Sequence, residues 1–383
     1  MRFVIFSLAS IVASAWWDWI FSAPSKDTPL EHQTEETPSE TIIPELPPEP
    51  VEVPAPPLFP EALPLHSNLQ LDSVGMIYAS NCAGCHTGPF QQWQNSAHHI
   101  GYNQANLQNA IREFGNGSLC ISCHLPFAEQ QAELTVEIVE NDVSRPVLEK
   151  NPAWNPNLQL DSVGCASCHV RDGVVLGSKT SESPHPVRNS EELHSSEMCQ
   201  NCHQFTLPDE VNPLYNTFEE WRQSPYAQAG IQCQDCHMQN GAILGMGFSN
   251  HSMELPIRQG ITITWQVDSF EWQRNHDIPI SIVLHNTGIG HSWPSSSPFK
   301  QKELIVQLQS LSGKALVKDI HQNIGPHRNP ELAGMTLKVG EQHAYPISIN
   351  VSSKYPAQLA KLRLIYKEGD EEEILEEIMV KIR

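Results

Sequence analysis

Five Cys-x-x-Cys-His motifs contain all ten cysteines of the chain, and each places two thiols and an imidazole at one fixed spacing. They are CAGCH (Cys82, Cys85, His86), CISCH (Cys120, Cys123, His124), CASCH (Cys165, Cys168, His169), CQNCH (Cys199, Cys202, His203) and CQDCH (Cys233, Cys236, His237). Two cysteines so spaced can form thioether bonds with the vinyl groups along one porphyrin edge, and the next histidine can bind the iron. The pattern predicts five covalently bound c-type haems with these five histidines as proximal ligands.

Zinc and disulfides explain the motifs less well. Structural zinc sites use cysteine pairs in twos, so five pairs would leave one unmatched. Disulfides form in exported proteins, but they require no histidine directly after each pair. Haem is therefore the cofactor that accounts for every residue of the repeated pattern.

The spacing of the motifs predicts a small protein region built around its haems. The motifs span 156 residues from Cys82 to His237, which leaves roughly 31 residues per haem. So short a chain cannot build five separate apolar cores, so we expect the porphyrins to form most of the core. We expect short helices, one of them over 104–115, and haems that follow one another in sequence order.

Histidines outside the motifs are candidates for the second, distal ligand of each iron. His98 and His99 follow the first motif closely enough to fold over a neighbouring haem, although a pair of surface histidines is the alternative. The other candidates are His185, His194, His251 and His291. Because histidines outnumber the available methionines, we expect mainly bis-histidine irons, which have low reduction potentials.

A partial repeat links two segments that precede later motifs. FQQWQNSAHH (90–99) and FEEWRQSPYA (218–227) share the pattern Phe-x-x-Trp-x-x-Ser, and we call them the first and second Trp-Ser units. We expect Trp93 and Trp221 to pack on haem edges or in ordinary core. Tyr226 stands where the first unit has His98, so the second unit lacks this candidate ligand and could line an open haem face.

The N-terminus predicts export from the cytoplasm. Residues 1–23 combine one early arginine with an apolar run, which is typical either of a cleaved signal peptide or of an N-terminal membrane anchor. Residues 24–64 contain twelve prolines and nine acidic residues, which predicts a disordered, extended linker. We therefore expect a periplasmic or otherwise extracytoplasmic protein, either free or tethered to the inner membrane.

The net charge of −21 limits the kinds of partner. Nucleic acid is excluded because phosphate binding needs clustered lysine and arginine, and no basic cluster is present. An acidic surface would steer encounters with basic redox partner proteins, although it would also simply keep an exported protein soluble.

Residues 259–383 contain no cysteine and predict a different kind of domain. Apolar and polar residues alternate in at least six short segments separated by turn residues, which is typical of antiparallel strands. The predicted fold class is α + β with several domains: a mainly helical, loop-rich pentahaem domain over 65–258, followed by an antiparallel β-sandwich over 259–383.

Several segments resemble multihaem c-type cytochromes of the cytochrome c554 type, which are loosely related to the hydroxylamine oxidoreductase group. They are FQQWQNSAHH, LCISCHLPFAEQ, VGCASCHVRDG, FEEWRQSPYAQAGIQCQDCHM and LHNTGIGHSWPS. The resemblance implies periplasmic electron transfer, stacked haem pairs, and distal ligation by His98, His251 and His291. The chain lacks the Cys-x-x-Cys-Lys motif of ammonia-forming nitrite reductases and shows no tyrosine in the setting that cross-links a catalytic haem.

The favoured function is therefore electron transfer through five closely packed haems rather than catalysis. One alternative is a haem-dependent reductase or oxidase of small nitrogen or sulfur oxyanions at a haem with one open face. Another is a subunit of an extracytoplasmic electron conduit, in which the linker and the β-sandwich would serve assembly.

Overall fold

The fold is that of a computed structural model, which describes residues 77–113, 117–177, 185–206, 211–239, 249–253, 255, 259–356 and 358–383. All of these residues belong to one compact unit. The predicted signal peptide or anchor (1–23) and the predicted linker (24–64) lie outside the described residues.

The haem region contains short helices, and each of the five motifs begins or lies within one of them. The helices are α1 (Ala79–Ala83), α2 (Thr87–Gln94), α3 (Ala97–Ile100), α4 (Ala105–Glu113), α5 (Ser118–His124), α6 (Pro156–Gln159), α7 (Cys165–His169), α8 (Glu197–His203), α9 (Thr217–Arg222), α10 (Pro225–Gln228) and α11 (Cys233–His237). Within the helix predicted over 104–115, the structure describes α4.

Two small sheets that the sequence did not predict lie between these helices. Strands β1 (Glu133–Ile138) and β2 (Pro146–Lys150) form an antiparallel hairpin. Strands β3 (Val170–Arg171), β4 (Val174–Gly177) and β5 (Val187–Asn189) form a second sheet in which β4 and β5 are parallel. Because β3 begins directly after the third motif, this sheet holds the chain beside His169.

The C-terminal region consists of two sheets. A three-stranded sheet has the order β11-β8-β6, and a five-stranded sheet has the order β10-β9-β12-β13-β7. The strands are β6 (Ile261–Gln266), β7 (Glu271–Trp272), β8 (Asp277–Asn286), β9 (Lys302–Ser310), β10 (Ile320–Asn323), β11 (Gln342–Asn350), β12 (Gln358–Glu368) and β13 (Glu371–Ile382). All pairs are antiparallel except β13 with β7, which is parallel.

Both sheets contribute to one hydrophobic cluster. Leu284 of β8 and Leu308 and Leu362 of the larger sheet are fully buried in it. Along β8 the buried positions alternate with more exposed ones, which is the period-two pattern seen in the sequence. Each buried leucine contributes about 2 kcal/mol of transfer free energy, so this cluster stabilises the region without haem.

One segment departs from the predicted strands: MTLKVG (335–340), whose alternating residues predict a strand, forms isolated bridges from Met335 and Leu337 instead. The last segment, β13, is a strand paired with β12 on both sides of one register shift between Leu364 and Ile365, in agreement with the turn residues Gly369 and Asp370 that precede it. Among the described residues, no helix has the length and apolar character needed to cross a bilayer.

Candidate haem sites

Each motif presents its three reactive side chains from one turn of helix. In α5, α7, α8 and α11 the two cysteines and the histidine occupy positions i, i+3 and i+4. An α-helix places these positions on one face, so the two thiols and the imidazole point to the same side. In the first motif the helix ends at Ala83, but the amide of His86 still donates to the carbonyl of Cys82 at 2.8 Å.

The histidines of four motifs each face a second histidine from elsewhere in the chain. The ring centroids are 6.4 Å apart for His86 and His185, 6.4 Å for His203 and His98, 6.2 Å for His169 and His251, and 6.3 Å for His237 and His291. An imidazole nitrogen binds a transition metal at about 2 Å and lies about 1 Å from its ring centroid, so one iron between two imidazoles separates their centroids by about 6 Å. The four pairs therefore fit haem irons held from both faces.

The four pairs differ in the angle between their imidazole planes. The angle is 13° for His237 and His291 and 28° for His169 and His251, so these planes are nearly parallel. It is 55° for His86 and His185 and 70° for His98 and His203. Nearly perpendicular planes leave two iron d orbitals close in energy and give a strongly anisotropic ferric spectrum, so the last site would be spectroscopically distinct.

The environment of these rings favours the neutral imidazole that binds a metal. Burial lowers the pKa of His98, His169, His251 and His291, and it lowers the pKa of His124 and of His203 to about 4. A histidine that is neutral at physiological pH has a nitrogen lone pair available for iron. These histidines therefore favour the neutral form that would bind the irons of the predicted haems.

Backbone carbonyls determine which ring nitrogen carries the proton. The Nδ1 atoms of His169, His185, His237, His251 and His291 lie 2.8–3.3 Å from the carbonyls of Leu176, Pro186, Met253, Ser249 and Ser292. A carbonyl can only accept, so Nδ1 must donate and Nε2 is left free for the metal. His98 differs, because its Nδ1 lies 2.9 Å from the Sδ atom of Met253.

The two Trp-Ser units hold the chain in front of the third and fifth motifs. The Trp93 indole donates to the carbonyl of Val163 at 2.9 Å, and the Trp221 indole donates to the carbonyl of Ile231 at 2.9 Å. Each acceptor lies two residues before the first cysteine of its motif. The tryptophans were expected to pack on haem edges or in core, and the structure adds this hydrogen bond that positions a motif.

The β region delivers His291 through a hydrogen-bonded loop. Asn286 is fully buried, donates to the carbonyl of His291 at 2.9 Å and accepts from the amide of Ile289 at 3.1 Å. Glu220 of α9 accepts from the amide of Ser292 at 3.0 Å, which ties the loop to the haem region. The ring of His291 is thereby held against the fifth motif.

The other candidates lie elsewhere. The ring centroid of His99 is 4.1 Å from Trp93, and its buried Nδ1 has no hydrogen-bond partner among the described residues. Consecutive helical residues point about 100° apart, so His98 and His99 cannot both face one iron. His194 is exposed at the end of the 3-10 helix Glu191–His194. Tyr226 packs against Gly290, beside His291.

His124 has a different environment from the other motif histidines. A Cβ atom on Gly101 would lie 3.0 Å from its Nδ1, so the glycine allows the end of α3 to approach this ring. Among the described ring pairs, none places a second histidine opposite His124, and His66, a further histidine that precedes the motifs, lies outside the described residues.

The motifs are neighbours in an order that differs from the sequence. The thiols of Cys82 and Cys165 lie close enough to shift each other's pKa, as do those of Cys123 and Cys202 and those of Cys199 and Cys233. These contacts join the first motif to the third, the second to the fourth, and the fourth to the fifth. Sequence order had predicted that consecutive motifs lie together, and only the last contact follows it. The fourth motif, which contacts two others, is the central site.

Comparison with known proteins gives one family for the haem region. The family model for cytochrome c552 matches residues 67–264, just over half of the chain. No curated protein matches the sequence. The structure is similar to that of a penta-haem cytochrome c552 from Thermochromatium tepidum, with a TM-score of 0.53 and 15% identity over 80% of this chain and 99% of that chain.

Two further matches cover about a third of the chain. They are a β-glucosidase from Listeria innocua (TM-score 0.20, 10% identity, 32% of this chain and 16% of that chain) and the CARDB domain of a Pyrococcus furiosus protein (TM-score 0.20, 11% identity, 32% and 87%). The motifs, the facing histidines and the family match agree, and the chain belongs to the cytochrome c552 family of multihaem c-type electron-transfer cytochromes.

Proposed function

We propose that this protein binds five covalent haems and passes electrons among them outside the cytoplasm. The observation that carries the proposal is the four facing histidine pairs, whose 6.2–6.4 Å separations fit irons with both axial positions filled. An iron with two histidine ligands has no position for a substrate, so it can exchange electrons but cannot bind a small molecule without losing a ligand. The similarity to the penta-haem cytochrome c552 from Thermochromatium tepidum supports the fold of this protein and nothing further.

The order of the contacts between motifs supports a branched path. Contacts between cysteines indicate that the first haem lies beside the third and that the second and fifth lie beside the fourth. Cys168 of the third motif also lies within electrostatic range of Cys199 and Cys202, which would connect the two groups. Electrons entering at any haem could then reach the fourth.

The N-terminal sequence and the net charge of −21 support the remaining parts of the proposal. Covalent haem attachment outside the cytoplasm agrees with the predicted signal peptide or anchor. Acidic side chains would steer basic redox partner proteins toward the surface. The two sheets that share one cluster support a β-sandwich, which on this proposal supplies His291 to the fifth haem and binds such partners.

Mass spectrometry and electron paramagnetic resonance test this proposal together. The matured protein should carry the mass of five haems, and its ferric spectrum should contain low-spin signals of both kinds, from nearly parallel and from strongly tilted imidazole planes. Replacing Cys165 and Cys168 by alanine should remove one haem. A protein without bound haem, or one whose paired sites are high-spin, would contradict the proposal.

A second function is favoured by the environment of His124. No described histidine faces this ring, so its haem would be the place where a small nitrogen or sulfur oxyanion could bind and be reduced or oxidised. Binding of carbon monoxide to one of five reduced haems, together with a high-spin ferric signal in the resting protein, would support this function and weaken the carrier. The variant His66→Ala distinguishes an open site from one that His66 occupies. If the site is open, the native protein already has the high-spin signal and the variant leaves it unchanged. If His66 is the ligand, the high-spin signal appears only in the variant.

A further inference from the structure

One short segment contacts the candidate ligands of three different irons. The segment is Ser249–Met253, which connects the fifth motif to the β region. His251 faces His169 with 6.2 Å between ring centroids. The carbonyl of Met253 lies 3.2 Å from the Nδ1 of His237, and the Sδ atom of Met253 lies 2.9 Å from the Nδ1 of His98. Met253 therefore contacts two imidazoles at once, one at the fifth site and one at the fourth.

The backbone of Met253 makes this double contact possible. Its φ angle is 56°, in the left-handed region that residues other than glycine seldom adopt. In this conformation the carbonyl points toward His237 while the side chain extends toward His98. Two hydrogen bonds hold the segment: the amide of His251 donates to Gln92 at 2.9 Å, and the amide of Ser252 donates to Asn250 at 3.0 Å.

The two contacts have different strengths. A carbonyl oxygen is a strong acceptor, and a hydrogen bond from Nδ1 to such an acceptor makes the imidazole a more basic ligand. A thioether sulfur is only a weak acceptor. Among the histidines of the four facing pairs, five others have a described Nδ1 partner, and in each case it includes a backbone carbonyl, so His98 is the exception. A less basic ligand stabilises ferric iron less and so raises the reduction potential.

We propose that Met253 is a positioning residue that raises the reduction potential of the fourth haem by giving His98 a thioether partner instead of a carbonyl. The proposal rests on the proposed function, because it requires an iron bound between His98 and His203. The fourth motif contacts the second and the fifth, so a more easily reduced iron at this position would collect electrons from its neighbours.

The test is a redox titration of the full-length matured protein, followed by electron paramagnetic resonance. The fourth site should give the most anisotropic ferric signal, because its imidazole planes are tilted by 70°. Met253→Gln keeps a similar length and provides an amide oxygen, so the midpoint potential of that signal should shift downward. Met253→Leu keeps the volume and removes the acceptor, so the midpoint should stay or shift slightly upward.

Met335→Gln is the matched control, because this methionine is 44% exposed in the β region and should leave every midpoint unchanged. The proposal is overturned if Met253→Gln binds five haems with native spectra but does not move this midpoint, or if all five midpoints move together. The carrier function would then still stand. If the paired sites of the native protein are not low-spin, the proposed function itself fails before any variant is compared.

Discussion

The two Trp-Ser units have the same local structure and different roles. In both, the tryptophan donates to a carbonyl two residues before a motif, and a buried serine accepts from the first amides of the following helix. In both, the amide of that same carbonyl residue donates back: Val163 to the carbonyl of His98 at 3.2 Å, and Ile231 to the carbonyl of Tyr226 at 3.0 Å.

The side chains at the matching positions separate the two units. His98 reaches across to His203, whereas the ring of Tyr226 packs against Gly290, next to His291. Where the second unit lacks a histidine, the β region supplies one to the motif that this unit positions. The comparison indicates that the shared hydrogen bonds of a Trp-Ser unit position the following haem motif. Whether the unit also provides a candidate iron ligand depends on one residue, which is His98 in the first unit and Tyr226 in the second.

The largest expected effect is on the haem spin state when either of the two proposed ligands, His98 or His291, is removed. His98→Ala and His291→Ala should each convert one low-spin haem of five to high spin, because an axial ligand is lost, and added imidazole should restore the signal. Ferric resonance spectra measure the conversion.

His99→Ala is the control for these ligand variants, since the ring of His99 packs against Trp93 and, among the described ring pairs, faces no motif histidine. Low-spin spectra that persist in His98→Ala would show that another residue binds this iron. They would contradict the conclusion that the first Trp-Ser unit provides a ligand and the second does not.

A second test concerns Lys302, whose buried ammonium group binds backbone carbonyls of the β region. Its Nζ donates to the carbonyls of Ser297 and Pro326 at 2.6 and 3.0 Å, and burial lowers its pKa to about 8. Between about pH 8 and pH 10.5 the unfolded lysine holds a proton that the folded one has lost, so the free energy of unfolding should rise with pH in this window by about 3 kcal/mol.

Chemical unfolding at several pH values measures this slope, and Lys302→Met should remove it. The β region should lose the pH dependence, while the low-spin signal of the His98 site should stay unchanged. An identical slope in the variant would assign the effect to another group.

The tryptophans should contribute about equally if the two units are equivalent scaffolds. Trp93→Phe and Trp221→Phe each remove an indole N–H and leave a carbonyl without its donor, which should cost about 1.5 kcal/mol. Thermal unfolding followed by circular dichroism measures the loss. A large difference between the two variants would indicate that one tryptophan mainly packs on a haem, as the sequence alone allowed.

The capping serines should have a smaller effect. Ser96 accepts from the amide of His99, and Ser224 accepts from the amides of Tyr226 and Ala227. Replacing either by alanine should cost about 1 kcal/mol, the usual contribution of a helix N-cap. The same unfolding assay applies, and Ser312→Ala at the exposed turn of the β region is a suitable reference.

The smallest effect is expected for Tyr226→Phe. The hydroxyl lies 3.5 Å from the carbonyl of Thr287, at the limit of a hydrogen bond, so its removal should change stability by less than about 0.5 kcal/mol. Spectra and haem content should stay native. A changed haem spectrum would instead indicate that this hydroxyl acts on the fifth haem, as an open-face residue would.

Much of the site could be predicted because its chemistry is local. A motif of five residues contains both thiols and one ligand, and one turn of helix places them on one face, so nothing beyond the motif is needed. The strands of the β region were predictable for a similar reason, since alternating burial along β8 follows a period of two. The hairpin of β1 and β2 was missed although Leu134, Val136 and Ile138 alternate with polar residues, because helices were expected throughout the haem region.

The sequence by itself determined the number of haem motifs, the histidine that follows each cysteine pair and the change to strands after residue 260, because each depends on neighbours along the chain. Only the tertiary structure decided which second histidine faces which motif and which motifs lie side by side. His98 and His203 are 105 residues apart, and their meeting depends on how the helices between them pack. The contact of Met253 with His98 also depends on the tertiary structure. The two residues are far apart in the sequence, and Met253 has a left-handed backbone where its sulfur reaches the His98 ring.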